Sequence, residues 1–322
     1  MKREVSVLMP FSPAHPRDAT VFASQVSKAG VRRLWLGESI VLDPFQALSY
    51  AAAASIDISF GIGVALTPLR TPLAAAMQAR TLAIASQKEV MVGFGPGSPG
   101  FQDAVLGSPY RRPRAVTSTY VDAVREVLTG EPSTAWHPTG LRARMHLPDL
   151  PTPSIRLGMG VLRPPMAHSA GSAADVAITW LAPAEYLRRE IVPVVNAGAA
   201  ESHRAIPRKI AIVPTALRRS GVSGTDVVMG SCGRHLALEH YASMLRLADI
   251  KTDPSSPEAS ARALIAGGAF IYGSPDEVAH KISSYFEAGI DEVVLNLTGV
   301  CVTSGYRSVL QDLTSILDAL KC

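Results

Sequence analysis

Short, nearly continuous hydrophobic runs recur along the chain, each parted from the next by a longer alanine-rich stretch, and this alternation restricts the fold more than any other feature. Runs at 4–9, 33–37, 58–64, 89–94, 154–159, 175–180, 208–214 and 292–297 have strand length and are apolar almost throughout, not at every second position. Such strands are buried on both faces, as in a parallel sheet covered by its own crossover helices. The stretches between them predict helices over 18–29, 44–54, 72–85, 114–129, 164–173, 183–199, 235–248 and 275–288, with a last helix near 306–320. Ser274-Pro275-Asp276-Glu277 is a strong start signal: an N-cap, a proline at the first helical position and two carboxylates where the helix dipole favours them. Gly289 closes that helix.

Two architectures share this βα order, a closed barrel and an open Rossmann-like sheet. Glycine spacing separates them. Gly93, Gly95 and Gly97 follow a strand but run into Ser98-Pro99-Gly100-Phe101-Gln102, where no helix is expected to open on the third glycine. Gly158-Met159-Gly160 does precede a helix, yet lacks a third glycine and an acidic ribose partner. The reading is therefore α/β, a (β/α)8 TIM barrel with insertions, in one domain over 1–322. Irregular insertions fall at about 131–153, rich in proline, and 217–235, with a polar interruption at 250–268. No period of repeat length is present to suggest a solenoid.

Composition excludes several function classes. With 47% hydrophobic and 18% charged residues, the chain has ample core material and is not a disordered segment. Its net charge of +4 is spread without a Lys/Arg block, which argues against a nucleic-acid surface and suits a small anionic ligand. Apolar stretches are broken by Gly, Pro or charge too soon to span a membrane, and the first residues run straight into a strand instead of a signal peptide. Cys232, Cys301 and Cys322 are widely spaced and odd in number, so a reducing cytoplasm is the expected location. His235 and His240 share a predicted helix without a carboxylate at ligand spacing, and no metal site is expected.

Four separated segments, spanning most of the chain from Val5 to Leu297, resemble the bacterial-luciferase-like oxidoreductases. Gly61-Ile62-Gly63-Val64-Ala65-Leu66-Thr67-Pro68-Leu69-Arg70-Thr71-Pro72, continued by Ala79-Arg80-Thr81-Leu82, is similar to the family's third strand and helix. Val92-Gly93-Phe94-Gly95-Pro96-Gly97-Ser98 is like the fourth strand, and after a loop come Tyr110-Arg111-Arg112-Pro113 and a helix ending Leu128-Thr129-Gly130-Glu131. Ile155-Arg156-Leu157-Gly158-Met159-Gly160 with Ala170-Gly171-Ser172-Ala173-Ala174-Asp175 makes the third segment. Tyr272-Gly273-Ser274-Pro275-Asp276-Glu277-Val278 with Ala288-Gly289-Ile290-Asp291-Glu292-Val293-Val294-Leu295 makes the last. The match is closer to the deazaflavin branch than to luciferase itself. It implies a luciferase-like barrel with coenzyme F420 over the strand ends, FMN as the alternative cofactor, and a homodimer, since relatives are commonly dimers.

The resemblance also implies residue roles. Glu38, Gly63, Val64, Gly95, Gly97, Ser98, Gly160, Val161, Leu162 and Arg163 would hold the cofactor. In the deazaflavin branch the peptide matching Gly63-Val64 is a non-proline cis bulge that supports the ring. Gly95, Gly97 and Ser98 fall at contacts to the ring or its side chain, where missing side chains expose backbone. Residues 160–164 fall where a helix start would meet phosphate, with Arg163 adding a charge-assisted bond, although the family usually has small residues or glycine in place of Leu162 and Arg163. Where deazaflavin enzymes commonly carry Asp then His, this chain has Glu38 and Ser39. Alcohol oxidation wants a base that titrates near the working pH, which serine does not supply unaided. Delivering hydride needs only a modest proton donor afterwards, and Ser39, Glu38 or water would serve. Glu38 and Ser39 are thus the expected catalytic residues of a reductase. Its acceptor would be an activated double bond or imine of a specialised metabolite, dehydroalanine in a lanthipeptide being one example of a modified-peptide substrate. An FMN-dependent monooxygenase and a non-catalytic flavin-binding relative are the alternatives. His15, after the first strand, and Trp180, at the end of another, are placed to meet substrate; an exposed loop histidine and a packed core aromatic are the plainer readings.

Overall fold

Nine parallel strands form in the computed structural model, which describes residues 3–131, 145–253 and 255–321. They are β1 (Glu4–Leu8), β2 (Arg33–Leu36), β3 (Ser59–Leu66), β4 (Val90–Gly95), β5 (Ile155–Val161), β6 (Val176–Trp180), β7 (Arg208–Leu217), β8 (Ile271–Gly273) and β9 (Glu292–Asn296). Eight of them close into a barrel: the ladder runs from β1 through β7, passes from β7 to β9, and returns to β1. β8 stands outside that ring and pairs only with the end of β7, Ile271 opposite Thr215. Helices cover the outside. The expected (β/α)8 barrel is what forms, and all eight hydrophobic runs became its strands.

The barrel interior has its own small core. Trp35, Met91, Val176, Ile178, Ile210, Ile212 and Val294 pack together inside it, apart from the larger core between sheet and helices. Inward residues come at alternate positions, such as Val176 and Ile178 on β6, as the pleat requires. Glycines on β3 and β4 make room for them: a Cβ on Gly61 would lie 2.5 Å from the Trp35 ring, and one on Gly93 2.3 Å from Ile178 Cδ1. At the N-terminal ends of the strands the interior is closed by charge. Glu292, fully buried, accepts from Ser6 Oγ at 2.7 Å, Trp35 Nε1 at 2.8 Å and Arg208 at 3.1 Å, with Arg33 at 3.4 Å. A buried carboxylate persists only with such partners.

Several segments differ from their expected form. A helix does open after the glycines of β4: Ser98 accepts from Phe101 N and caps Pro99–Leu106. The glycine spacing was therefore no guide there, and closure of β9 onto β1 is what excludes an open sheet. Residues 217–235 are not irregular but carry the helix Gly224–Leu236, and 250–268 carries Pro257–Ala266. A new helix, Glu239–Leu247, begins where 235–248 was expected to be continuous. The helix expected over 183–199 has a π-helical stretch at Leu187–Ile191 before Val192–Glu201. Residues 132–144, most of the proline-rich insertion, lie outside the described residues, as does Cys322. No helix of the described residues is long and apolar enough to cross a membrane.

Candidate active site at the barrel mouth

At the C-terminal end of β3 the chain makes the feature on which the mouth is built. The Gly63-Val64 peptide is cis, and the pairing with β4 shifts there: Ile62 lies opposite Val92 but Ala65 opposite Phe94, so two residues face one. The bulge turns the half-buried Val64 side chain over the interior core. Its methyls take the space that a Cβ would need at Gly95 (2.9 Å) and Gly160 (3.3 Å). What those glycines accommodate is thus an isopropyl group of the chain itself.

Glu38, after β2, locks this bulge in place. Its N–H donates to Val64 O at 3.3 Å, and its Oε2 accepts from Leu66 N at 3.3 Å and from Arg70 at 2.7 Å. The Glu38 and Arg70 side chains are 5% and 6% exposed, so the pair is buried. Arg70 also reaches Asp43 at 3.2 Å, lies 5.2 Å from the Phe45 ring centroid, and its carbonyl accepts from Tyr120 Oη at 2.9 Å. Burial pushes the Tyr120 phenol well above its ordinary value. Arg70 was legible as part of a motif but not as a site residue; the one available signal was that an arginine flanking a barrel strand needs a carboxylate. Ser39 Oγ accepts from Val41 N at 3.3 Å beside the exposed Ile40.

Across the mouth stands an aromatic group. Trp180, ending β6, packs against the interior core and holds its ring 4.9 Å from that of His235, on Gly224–Leu236. His235 lies edge-on to Tyr241 at 5.0 Å, and His240 is 4.5 Å from the same tyrosine. Burial, then the charges of His240 and Arg234, lower the His235 imidazole to about 4, so it is neutral near pH 7. Trp180 Nε1 and His235 Nδ1 are both buried without a hydrogen-bond partner.

Between these two sides the chain meets the helix Pro164–Ala173. The resemblance gave this helix start an anion, but its first two residues, Pro164 and Pro165, have no N–H to offer. Arg163, exposed at the N-cap, is left as the positive group there, and its charge helps burial lower His240. Tyr186 Oη donates to Leu162 O at 2.9 Å.

Residues 4–292 match the family profile described as luciferase-like monooxygenase. The chain belongs to that family. Oxidoreductase activity comes with membership; the cofactor and substrate do not. A stretch of 116 residues is 27% identical to a Mycobacterium tuberculosis protein provisionally named coenzyme F420-dependent oxidoreductase; it makes up 36% of this chain and 33% of that relative's length. An F420-dependent secondary alcohol dehydrogenase solved with an F420-acetone adduct superposes at TM-score 0.76 with 18% identity over 99% of both chains. The F420-dependent tetrahydromethanopterin reductase of Methanopyrus kandleri does so at 0.71 with 18% identity, over 97% of this chain and 98% of that one. The monooxygenase RslO1 of Streptomyces bottropensis does so at 0.72 with 17% identity, over 99% and 98%. At these identities the likeness is one of fold.

The remaining expected positions of this luciferase-like chain have local duties. His15 is exposed and caps the helix Pro16–Lys28, its Nδ1 accepting from Arg17 N at 3.1 Å. Gly97 adopts φ +72° ahead of the capping Ser98, and the buried Gln102 pins this turn through Pro96 O and Gly97 O, both at 3.0 Å. Gln102 was missed in the sequence, since only the fold brings it back onto the glycines. Val161 is buried at the end of β5. Burial raises the Cys232 thiol to about 12, which leaves no thiolate nucleophile there. No group of three or more His, Cys, Asp or Glu among the described residues is arranged to hold a metal ion.

Proposed function

We propose that this luciferase-like enzyme is a reductase that uses reduced coenzyme F420 on an activated double bond or imine of a small metabolite or modified peptide, dehydroalanine being one such acceptor. The observation that carries the reading is the state of the 38–39 pair: the Glu38 carboxylate is consumed by Arg70 and Leu66 N, and the residue after it is a serine, whose Oγ accepts from Val41 N, and not a histidine. That position holds no free base for drawing a proton from an alcohol, so hydride delivery suits it better than alcohol oxidation.

The residues present fit the ring of such a cofactor. The Val64 isopropyl group, fixed by the bulge and by Glu38, offers an apolar support at the mouth, and Trp180 stands opposite. The anion-holding end rests on Arg163, because prolines replace two of the amides. When bound, reduced F420 supplies a hydride. The chain's part is to support the ring, hold the acceptor, exclude water and leave the closing proton to Ser39 or solvent.

Parallel titration of the purified protein with F420 and FMN tests this. Binding of F420, and recovery of the oxidised deazaflavin absorbance when an acceptor is added to the reduced form, is the expected result. Tight FMN binding with oxygen consumption and no F420 binding would make it a monooxygenase. Binding of neither would make it a non-catalytic relative.

A further inference from the structure

The pleat that sets Glu292 at the floor and Val294 in the interior core sets Asn296, two residues further along β9, at an inward position of the mouth. The other inward positions at that level are apolar or bare. Leu8, Val64 and Trp180 lie half-buried on the interior core, Pro214 of β7 pairs with Asn296, and Gly95 and Gly160 carry no side chain. Asn296 is 2% exposed, and its Oδ1 accepts from Thr298 N at 3.0 Å and from Thr298 Oγ1 at 2.6 Å. A backbone N–H only donates, so the carboxamide oxygen is fixed on Thr298 and the NH2 group points away from it.

That NH2 group has no partner among the described residues. Leaving a buried donor without an acceptor costs about 1–3 kcal/mol, and native proteins seldom do so. Trp180 Nε1 and His235 Nδ1 are fully enclosed and thus closed to a ligand, whereas Asn296 Nδ2 is not among the enclosed atoms and keeps accessible surface. For an inward residue at the C-terminal end of a barrel strand, the open side is the mouth. A carboxamide held by its oxygen and open at its nitrogen is a fixed, neutral donor facing whatever enters there.

We propose that Asn296 binds substrate, its Nδ2 donating to a carbonyl oxygen of the acceptor. Position separates substrate from cofactor. β9 faces β4 across the barrel, with β1–β3 between them on one side and β5–β7 on the other, while the glycines and Arg163 assigned to the cofactor lie on β4 and at the end of β5. Charge selects the oxygen: a neutral donor in an apolar ring suits a carbonyl or amide, since a carboxylate would need a cation to accompany its burial. The consequence rests on the reductase reading. A carbonyl conjugated to the reacting double bond gathers negative charge on its oxygen as hydride adds, and a preorganised N–H opposes that charge. No bond to Asn296 forms or breaks.

Methacrylamide, an unsaturated amide labelled with ¹³C at its carbonyl, is the probe, titrated into the whole protein with and without F420. Saturable binding is expected to lower the carbonyl stretching frequency in the infrared and to move the ¹⁵N side-chain amide resonance of Asn296, assigned through its contact with Thr298. Asn296→Asp keeps an oxygen for Thr298 and replaces only the NH2, so in mildly alkaline buffer it should weaken the amide about tenfold and abolish the infrared shift. Thr298→Val loosens the turn but leaves the NH2, and should weaken it less. No binding to wild type, an unmoved Asn296 resonance, or undiminished affinity in Asn296→Asp overturns the proposal. A larger loss in Thr298→Val also overturns it, by making Asn296 a turn residue only. If Asn296→Asp does not fold, the wild-type resonance and infrared band decide. Amide binding lost in Asn296→Asp, without F420 binding, would keep this site and remove the reductase reading; F420-dependent reduction with an unmoved Asn296 resonance would do the reverse.

Discussion

Glu38 and Arg70 show how a position taken for chemistry is held by physics. The two side chains are almost wholly buried, so each charge depends on the other. Replacing Arg70 with methionine strands the carboxylate, and a loss of about 3–5 kcal/mol in unfolding free energy is expected from urea melts. Glu38→Gln, which keeps an acceptor for Leu66 N, should cost less than Arg70→Met. At His235 the folded value of about 4 lies below the ordinary 6.5. Between those values the unfolded chain takes up a proton that the folded chain refuses, so this residue's contribution is full above 6.5 and is lost as pH falls towards 4. Its size is about 3 kcal/mol at most. Wild type should therefore lose more stability between pH ~7.5 and ~4.5 than His235→Asn does, other carboxylates being common to both; parallel slopes would refute the assignment.

Elements differ in how plainly the sequence announced them. The helix Pro275–Glu287 was fully legible, because Ser274 and Glu277 form the reciprocal cap that their spacing implies, at 3.3 and 2.7 Å. Gly224–Leu236 was not: 217–235 was expected to be an irregular insertion, and Gly224, Gly230 and Gly233 are weak helix formers. Tertiary packing bears on one of them: a Cβ on Gly230 would lie 3.3 Å from Val302 Cγ1 on the adjoining helix Thr298–Ser304. The bulge at Gly63-Val64 was legible through its resemblance, while the Glu38–Arg70 and Trp180–His235 pairs were not, because each joins residues that only the closed barrel brings together. Glycine also sets the fit of Pro164–Ala173 on Val192–Glu201. A Cβ at Gly171 would meet Val195 O at 2.2 Å, and one at Gly198 would meet His168 O at 2.3 Å. Neither backbone can yield as a side-chain tip would, so Gly171→Ala and Gly198→Ala should each destabilise by about 2–3 kcal/mol in thermal melts. Gly100→Ala, on the exposed helix Pro99–Leu106 with nothing within 4 Å, should instead stabilise by up to about 1 kcal/mol in the same melts.

Across the whole molecule the two ends of the barrel are built differently. The mouth sets Val64 and Trp180 over the interior core, with the Glu38–Arg70 pair beside the bulge and the exposed Arg163 at a helix start; the floor is a knot of charge around Glu292. The barrel was legible from eight hydrophobic runs, since a parallel sheet buried on both faces cannot hide its composition. The floor was not, because Glu292 gathers partners from β1, β2 and β7. Ser6 and Glu292 are 286 residues apart, so the barrel's β1 waits for its β9 before its polar groups are satisfied. Nascent chains stalled after residue 288 should stay open to protease along β1 and β2, and protection should arrive abruptly once β9 has emerged. The carboxylate that seals the floor thus also sets the moment in synthesis at which this enzyme becomes a folded object.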